Sequence, residues 1–127
     1  MFILMSRLLE AIPLYGYAGE LLKVNLSEGR VSTEKIEKET VIDYIGGKVF
    51  GARILLERTQ PGIDPLDPRN LLIFATGPAN GLAFSGAAKF TAVFMSPLTG
   101  IWGGIAMWRL LCTSSELLAA SAASIYV

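Results

Sequence analysis

The chain has 127 residues, room for one domain, with 11 basic and 11 acidic residues and therefore no formal net charge. This balance excludes the basic surface typical of nucleic-acid-binding proteins. The sequence contains no histidine, which excludes histidine-based triads and the common zinc sites, and the single cysteine, Cys112, excludes an intramolecular disulfide. A reducing, cytoplasmic setting is the simplest interpretation.

Apolar residues make up 52% of the chain and charged residues only 17%, below the ~25% usual for soluble domains. This excess predicts exposed apolar surface and self-association. Residues 1–14 are apolar but contain Arg7 and Glu10, so they fall short of the ~20 apolar residues of a membrane-spanning helix. We interpret them as an amino-terminal extension without a membrane partner; a signal or anchor is the less favoured alternative.

A β-hairpin is predicted first. Apolar and polar residues alternate over residues 20–26, and residues 31–36 can pair with them across a short turn. Gly29 would supply the left-handed residue of a bulged hairpin turn.

Two helices are predicted next. Apolar residues recur at helical spacing over residues 41–45, with Thr40 as the expected N-cap. Gly46 and Gly47 should end this first helix, and residues 49–58 form the second. Three prolines then predict an extended crossing loop (Pro61, Pro65 and Pro68).

Two short apolar runs, residues 71–75 and 89–95, predict buried strands. The loops at residues 77–81 and 85–88 are rich in small and polar residues, and such loops can bring main-chain N–H groups close to an anion. Lys89 places one positive charge at the start of the second strand. From spacing alone, ordinary turns and a solvated lysine remain the favoured interpretation.

The character of the sequence changes after Gly104. Residues 105–127 are rich in leucine, alanine and serine, and Thr113 with Glu116 is compatible with a capping box. The pattern predicts an atypical helical tail.

Five short motifs occur in order between residues 15 and 103: Val24-Asn25-Leu26-Ser27-x-Gly29, Gly46-Gly47-Lys48-x-x-Gly51-Ala52, Asp64-Pro65-Leu66, Gly77-Pro78 and Ser96-Pro97-Leu98-Thr99-Gly100. Their order and spacing resemble the amino-terminal end of aldehyde ferredoxin oxidoreductases. The resemblance implies an α+β fold, with β-sheets and a short helical pair, over residues 15–104. Residues 105–127 depart from the family, which has a polar cofactor loop there, so we expect a truncated or frame-shifted version of a longer protein.

In the resembled family this domain cradles a tungsten or molybdenum bis-pterin cofactor (tungstopterin or molybdopterin). The intact enzyme oxidises aldehydes to carboxylic acids and passes electrons through an iron-sulfur cluster to ferredoxin. The resemblance implies that Lys89, where the family usually has arginine, faces a cofactor phosphate, with Gly86, Ala87 and Ala88 beside it.

Catalytic and metal-ligating residues are not expected in this chain. A protein-bound iron-sulfur cluster generally needs four cysteine thiolates, and Cys112 is the only cysteine. We therefore expect a cofactor-binding fragment that is inactive alone. The alternative is a small stand-alone interaction module or a relic without function.

Overall fold

The computed structural model describes residues 16–80, 87, 89–108 and 124–126. In chain order, the elements are β1 (Glu20–Asn25), β2 (Arg30–Lys35), α1 (Lys38–Tyr44), α2 (Gly47–Arg58), β3 (Leu72–Thr76), β4 (Lys89–Met95), β5 (Trp102–Trp108) and β6 (Ser124–Tyr126). The strands form one sheet in the order β2-β1-β6-β3-β4-β5. Only the β1–β6 pair among these is parallel. The predicted α+β class is confirmed, with the strands joined in a single mixed sheet.

The first hairpin forms as predicted. Asn25 lies opposite Arg30 at its end, and Gly29 has a φ of 62° in the turn. The Asn25 side-chain oxygen accepts a hydrogen bond from the Glu28 backbone N–H at 3.0 Å. A left-handed glycine and an asparagine that bonds its own turn together fix this register.

The predicted cap of the first helix is wrong. The helix begins at Lys38, Glu37 occupies the N-cap position, and no side chain caps it. Thr40 therefore lies inside the helix, whose rotation is set by burial of Val41 rather than by a hydroxyl cap. The second helix ends at Arg58, as predicted.

The core lies between α2 and the middle of the sheet. Leu55 on the helix and Ile73 on β3 are fully buried. Gly51 permits the close approach, because a Cβ there would come within 2.8 Å of Val93 Cγ2 on β4. Since alternate residues of a strand share a face, Val93, Thr91 and Lys89 all lie on the side of the sheet that carries α2.

The predicted helical tail from residue 105 is wrong for residues 105–108, which belong to β5, and for residues 124–126, which form β6. The hairpin after β4 determines the outcome at β5. Ser96 N–H donates to Ile101 O at 3.0 Å and Gly100 N–H to Ser96 O at 2.8 Å, so the returning chain is paired with β4 from Met95 opposite Trp102. Ladder pairing overrides the helix-like composition of these residues. Residues 109–123 and the capping box predicted there lie outside the described residues.

No helix among the described residues is long and apolar enough to cross a membrane.

Candidate functional site

A cavity of about 280 Å³ lies where β3 ends and β4 begins, beside the first residue of α2. Three parts of the chain form its wall: the start of α2, the end of β3 with the loop after it, and the start of β4. The lining residues are Gly47, Ala75, Gly77, Pro78, Ala79, Asn80, Ala87, Lys89 and Thr91. The antiparallel pairing of β3 and β4 places Ala75 opposite Thr91 and so joins two of these parts.

Lys89 and Thr91 are the polar side chains that β4 contributes to the cavity. They lie on the face shared with Val93, which packs against α2. Lys89 is exposed at the start of the strand and brings one positive charge to the cavity wall. Thr91 is half-buried deeper along the same face. Together they offer a positive charge and a hydroxyl to one small volume.

The loop after β3 is held between two glycines. A Cβ on Gly46 would come within 2.6 Å of Thr76 O, and a Cβ on Gly16 within 2.5 Å of Pro78 O. Both contacts are to backbone atoms, which cannot swing aside. The loop itself closes with Asn80 N–H donating to Gly77 O at 3.0 Å. Only glycines fit on either side, so the loop has a fixed position against the cavity.

The junction between α1 and α2 is a strained turn next to this loop. Ile45 has φ 58° and ψ −61°, and Gly46 N–H donates to Tyr44 O at 2.6 Å. These values describe a γ-turn of the rare, strained kind. Tyr17 Oη donates to Ile45 O at 2.5 Å, and partial burial raises the pKa of the Tyr17 hydroxyl. The turn aims the first residues of α2 at the cavity.

Gly47 and Gly77 leave open space on the cavity wall. A Cβ built on either residue would meet no heavy atom within 4 Å. Backbone N–H groups at these positions can therefore be approached closely by a ligand. The first N–H groups of a helix also lack partners within the helix, and the N-cap of α2 is a glycine without a side-chain cap.

The structure brings together part of the predicted site. Ala87 is buried and lines the cavity with Lys89, whereas Gly86 and Ala88 lie outside the described residues. Gly47 and Thr91 were not predicted as site residues. Thr91 could have been found from strand periodicity, because it follows Lys89 by two positions. The contribution of Gly47 depends on the fold of the α1–α2 junction, which has no local signature of this kind.

Within the described ranges, no three His, Cys, Asp or Glu residues cluster in a way that could hold a metal ion. The polar groups of the site there are the Lys89 ammonium, the Thr91 hydroxyl, the Asn80 side chain and backbone amides. Such a set binds anions.

A second cavity, of about 220 Å³, lies between the β1–β2 hairpin and the helices. Arg58 donates to Glu34 at 2.8 Å in its wall, and Leu21, Phe50 and Ile54 also line it. The ion pair joins the hairpin to α2 over apolar side chains. We assign this cavity a structural role, because Arg58 and Glu34 form an ion pair with each other.

The sequence matches the family model described as the aldehyde ferredoxin oxidoreductase N-terminal domain, over residues 21–111. The match extends through β5 and includes every described lining residue of the first cavity.

Among curated proteins, the chain is similar to tungsten-containing aldehyde ferredoxin oxidoreductases. It is 40% identical to the protein of Pyrococcus horikoshii over 87 residues and 36% identical to that of Pyrococcus furiosus over 87 residues. Each alignment covers 68% of this chain and 14% of the relative. The chain therefore spans a small part of the length of these relatives.

Among solved structures, the chain is similar to a chain of the active site complex BamBC of benzoyl coenzyme A reductase in complex with 1,5-dienoyl-CoA. The TM-score is 0.80 at 27% sequence identity, and the match covers 88% of this chain and 17% of the other.

Proposed function

We propose, since this chain belongs to the aldehyde ferredoxin oxidoreductase family, that its first cavity holds a phosphate-bearing end of a tungsten pterin cofactor. The observation that carries the proposal is the convergence of Lys89, the start of α2 and the open loop after β3 on one volume. The relatives named above are tungsten-containing enzymes, which favours tungsten over molybdenum.

The residues present fit a phosphate group. The lysine ammonium is a compact point charge, helix N-termini favour anions through unpaired N–H groups and the helix dipole, and successive loop N–H groups add donors. Gly47 supplies the helix start and Gly77 the loop start, both without obstruction. Gly86 and Ala88 belong to the same proposed cradle as Ala87 and Lys89.

The size of the cavity suits one end of a large cofactor. Pockets that enclose a complete small molecule usually measure ~300–1,000 Å³, and this one measures about 280 Å³. In the proposal, this domain forms one wall of the cofactor site and the rest of a family-length protein forms the others. When bound, the cofactor supplies the redox chemistry; these residues bind its phosphate and orient it.

The proposed activity of a family-length protein is oxidation of aldehydes to carboxylic acids in the cytoplasm, with ferredoxin as electron acceptor. The iron-sulfur cluster of that reaction needs ligands beyond Cys112, so we propose that the 127-residue chain alone is inactive. Assays of the purified chain with a viologen dye and several aldehydes should give no more turnover than a blank without protein. Turnover above the blank would contradict this part of the proposal.

Filling the cavity tests the cofactor assignment. We propose grafting this domain in place of the matching segment of the Pyrococcus horikoshii relative and introducing Gly77→Val. A valine side chain at Gly77 meets no protein atom near its Cβ, and this glycine has no positive φ, so the change should occupy the cavity without straining the fold. Tungsten and pterin content per polypeptide should fall well below that of the unmodified graft.

Gly103→Val is the matched control. Gly103 also has open space around a built Cβ and no positive φ, but it lies on β5, away from the cavity. This variant should keep its tungsten and pterin. Full cofactor content in the Gly77→Val graft would show that the cavity is not part of the cofactor site.

A further inference from the structure

The two outer edges of the sheet differ in charge. β2 carries Arg30, Glu34 and Lys35 along one edge, whereas β5 has no charged residue from Trp102 to Trp108 at the other. Charged side chains on an edge strand discourage the addition of a further strand, and a long uncharged edge invites it. Among the described strands, β5 is therefore the edge that favours pairing with a further strand.

The ladder between β5 and β4 determines which hydrogen-bonding groups of β5 point outward. Ser96 N–H donates to Ile101 O, so these opposite residues form a hydrogen-bonded pair, and such pairs alternate along an antiparallel ladder. The N–H and C=O groups of Trp102, Gly104 and Ala106 therefore point away from β4. Among the described residues, no strand pairs with this outer edge.

We propose that β5 pairs antiparallel with β5 of a second copy of this chain. In the register that pairs all seven residues of the strand, Trp102 lies opposite Trp108 of the second copy and Gly104 opposite Ala106. Ile105 then lies on the two-fold axis, opposite itself. The outward groups of Gly104 and Ala106 meet as a hydrogen-bonded pair, as the ladder requires.

Three observations favour a second copy as the occupant. The edge is uncharged, so it does not repel itself. Ile105, which lies opposite its own copy in this register, is 51% exposed, and β-branched residues opposite each other stabilise a strand pair. Gly103 and Gly104 present no side chains that would keep two backbones apart. A two-fold pair closes on itself, as most homodimers do.

Charge at Ile105 tests both the partner and the register. Light scattering coupled to size-exclusion chromatography of the full chain should give a dimer. Ile105→Lys and Ile105→Glu should each give a monomer, because like charges directly opposite each other destabilise a strand pair. Mixing the two variants should restore a dimer that contains one copy of each.

The opposite edge provides matched controls. Val31, on β2, is 61% exposed, so Val31→Lys adds the same charge to the other edge and should leave the dimer intact. Ala106→Pro removes an outward N–H from β5 and should give a monomer. Thr33→Pro is the matched control on β2 and should leave the dimer intact. Ile36 N–H donates to Gly19 O, and because inward and outward groups alternate along the strand, the Thr33 N–H points outward.

Several results overturn the proposal: a monomeric unmodified chain, association that persists in Ile105→Lys, or no dimer on mixing the two folded Ile105 variants. A cooperative thermal transition in each variant shows that it folds. If Ile105→Lys does not fold, Ala106→Pro provides the test instead. A folded Ala106→Pro variant that is still a dimer would overturn the proposal.

Discussion

Gly51 of α2 lies directly over Val93 of β4, and a Cβ added to Gly51 would come within 2.8 Å of Val93 Cγ2. We predict that Gly51→Ala destabilises the protein. Alanine is favoured over glycine in a helix by about 1 kcal/mol, but overpacking a core costs about 1–3 kcal/mol. The expected net loss in the free energy of unfolding is about 1 kcal/mol, measured by chemical denaturation at fixed protein concentration.

Two further variants check the cause of the Gly51 effect. In a Val93→Ala background, Gly51→Ala should cost less, since the methyl group at 2.8 Å is gone and of Val93 only the Cβ position at 3.2 Å remains. Gly104→Ala should have a smaller effect, because the atoms nearest to its Cβ are Cε, Cδ and Cγ of Lys48, at 3.0 to 3.2 Å, and this side chain is flexible. A loss that is the same in both backgrounds would contradict the steric explanation.

Asn70 joins the loop before β3 to the end of β4. Its side-chain nitrogen donates to Pro65 O at 2.7 Å and to Met95 O at 3.2 Å. We predict that Asn70→Ala lowers the free energy of unfolding by about 1–3 kcal/mol, since two carbonyl groups lose a donor. Asn70→Asp should be worse, because a carboxylate would face both carbonyls. Urea denaturation measures both, and an unchanged midpoint in Asn70→Ala would show that the bridge is not stabilising.

The strained turn at Ile45 predicts a stabilising substitution. A left-handed, β-branched residue costs about 1–3 kcal/mol, and the Ile45 side chain is 62% exposed, so little packing is lost in Ile45→Gly. We expect the free energy of unfolding to rise by about 1 kcal/mol. Ile42→Gly, at an exposed position inside α1, should instead lower it by about 1 kcal/mol. Destabilisation by both variants would argue against strain at Ile45.

The contacts between Asp67 and Arg69 predict that the pKa of Asp67 is lowered. Hydrogen bonds from the Arg69 side chain and backbone N–H lower the pKa of Asp67 to about 2. Because this pKa is depressed, the pair's contribution to stability is present above the ordinary value of about 3.9 and is lost as the pH falls towards 2. In Arg69→Ala the pKa of Asp67 should rise towards about 3.9.

Carboxyl NMR titration measures that change directly. Arg30→Ala removes an arginine from a different ion pair, with Glu28, and should leave the pKa of Asp67 unchanged. An Asp67 pKa near the ordinary value in the unmodified chain would contradict the observed contacts.

The elements that sequence analysis predicted well have strong local signals. The bounds of β4 and the end of α2 at Arg58 follow from an apolar run and a helical period, and Gly29 marks its turn. The start of α1 was missed because buried Val41, rather than a cap, sets that helix. The strand over residues 105–108 was missed because it depends on pairing across the hairpin at Ser96.

The candidate site could be predicted only where one residue carries the chemistry. Lys89 and Ala87 follow from the strand boundary and from the family resemblance. The roles of Gly46 and Gly16 depend on contacts with Thr76 O and Pro78 O, which are distant in sequence. No local pattern reveals which glycines are required by such contacts.

The charge of Lys89 provides the most direct test of the proposed cofactor cradle. In the grafted family-length protein, Lys89→Ala should lower tungsten and pterin content per polypeptide, since losing a charge-assisted contact costs about 1.5–3 kcal/mol. Lys89→Arg should retain the cofactor because it keeps the charge and adds a fork of donors suited to phosphate. Lys23→Ala, at an exposed lysine of β1 outside this cavity, is the control. Low content in Lys89→Ala alone is the predicted result, and equal content in all four proteins would contradict a role for Lys89 in cofactor binding.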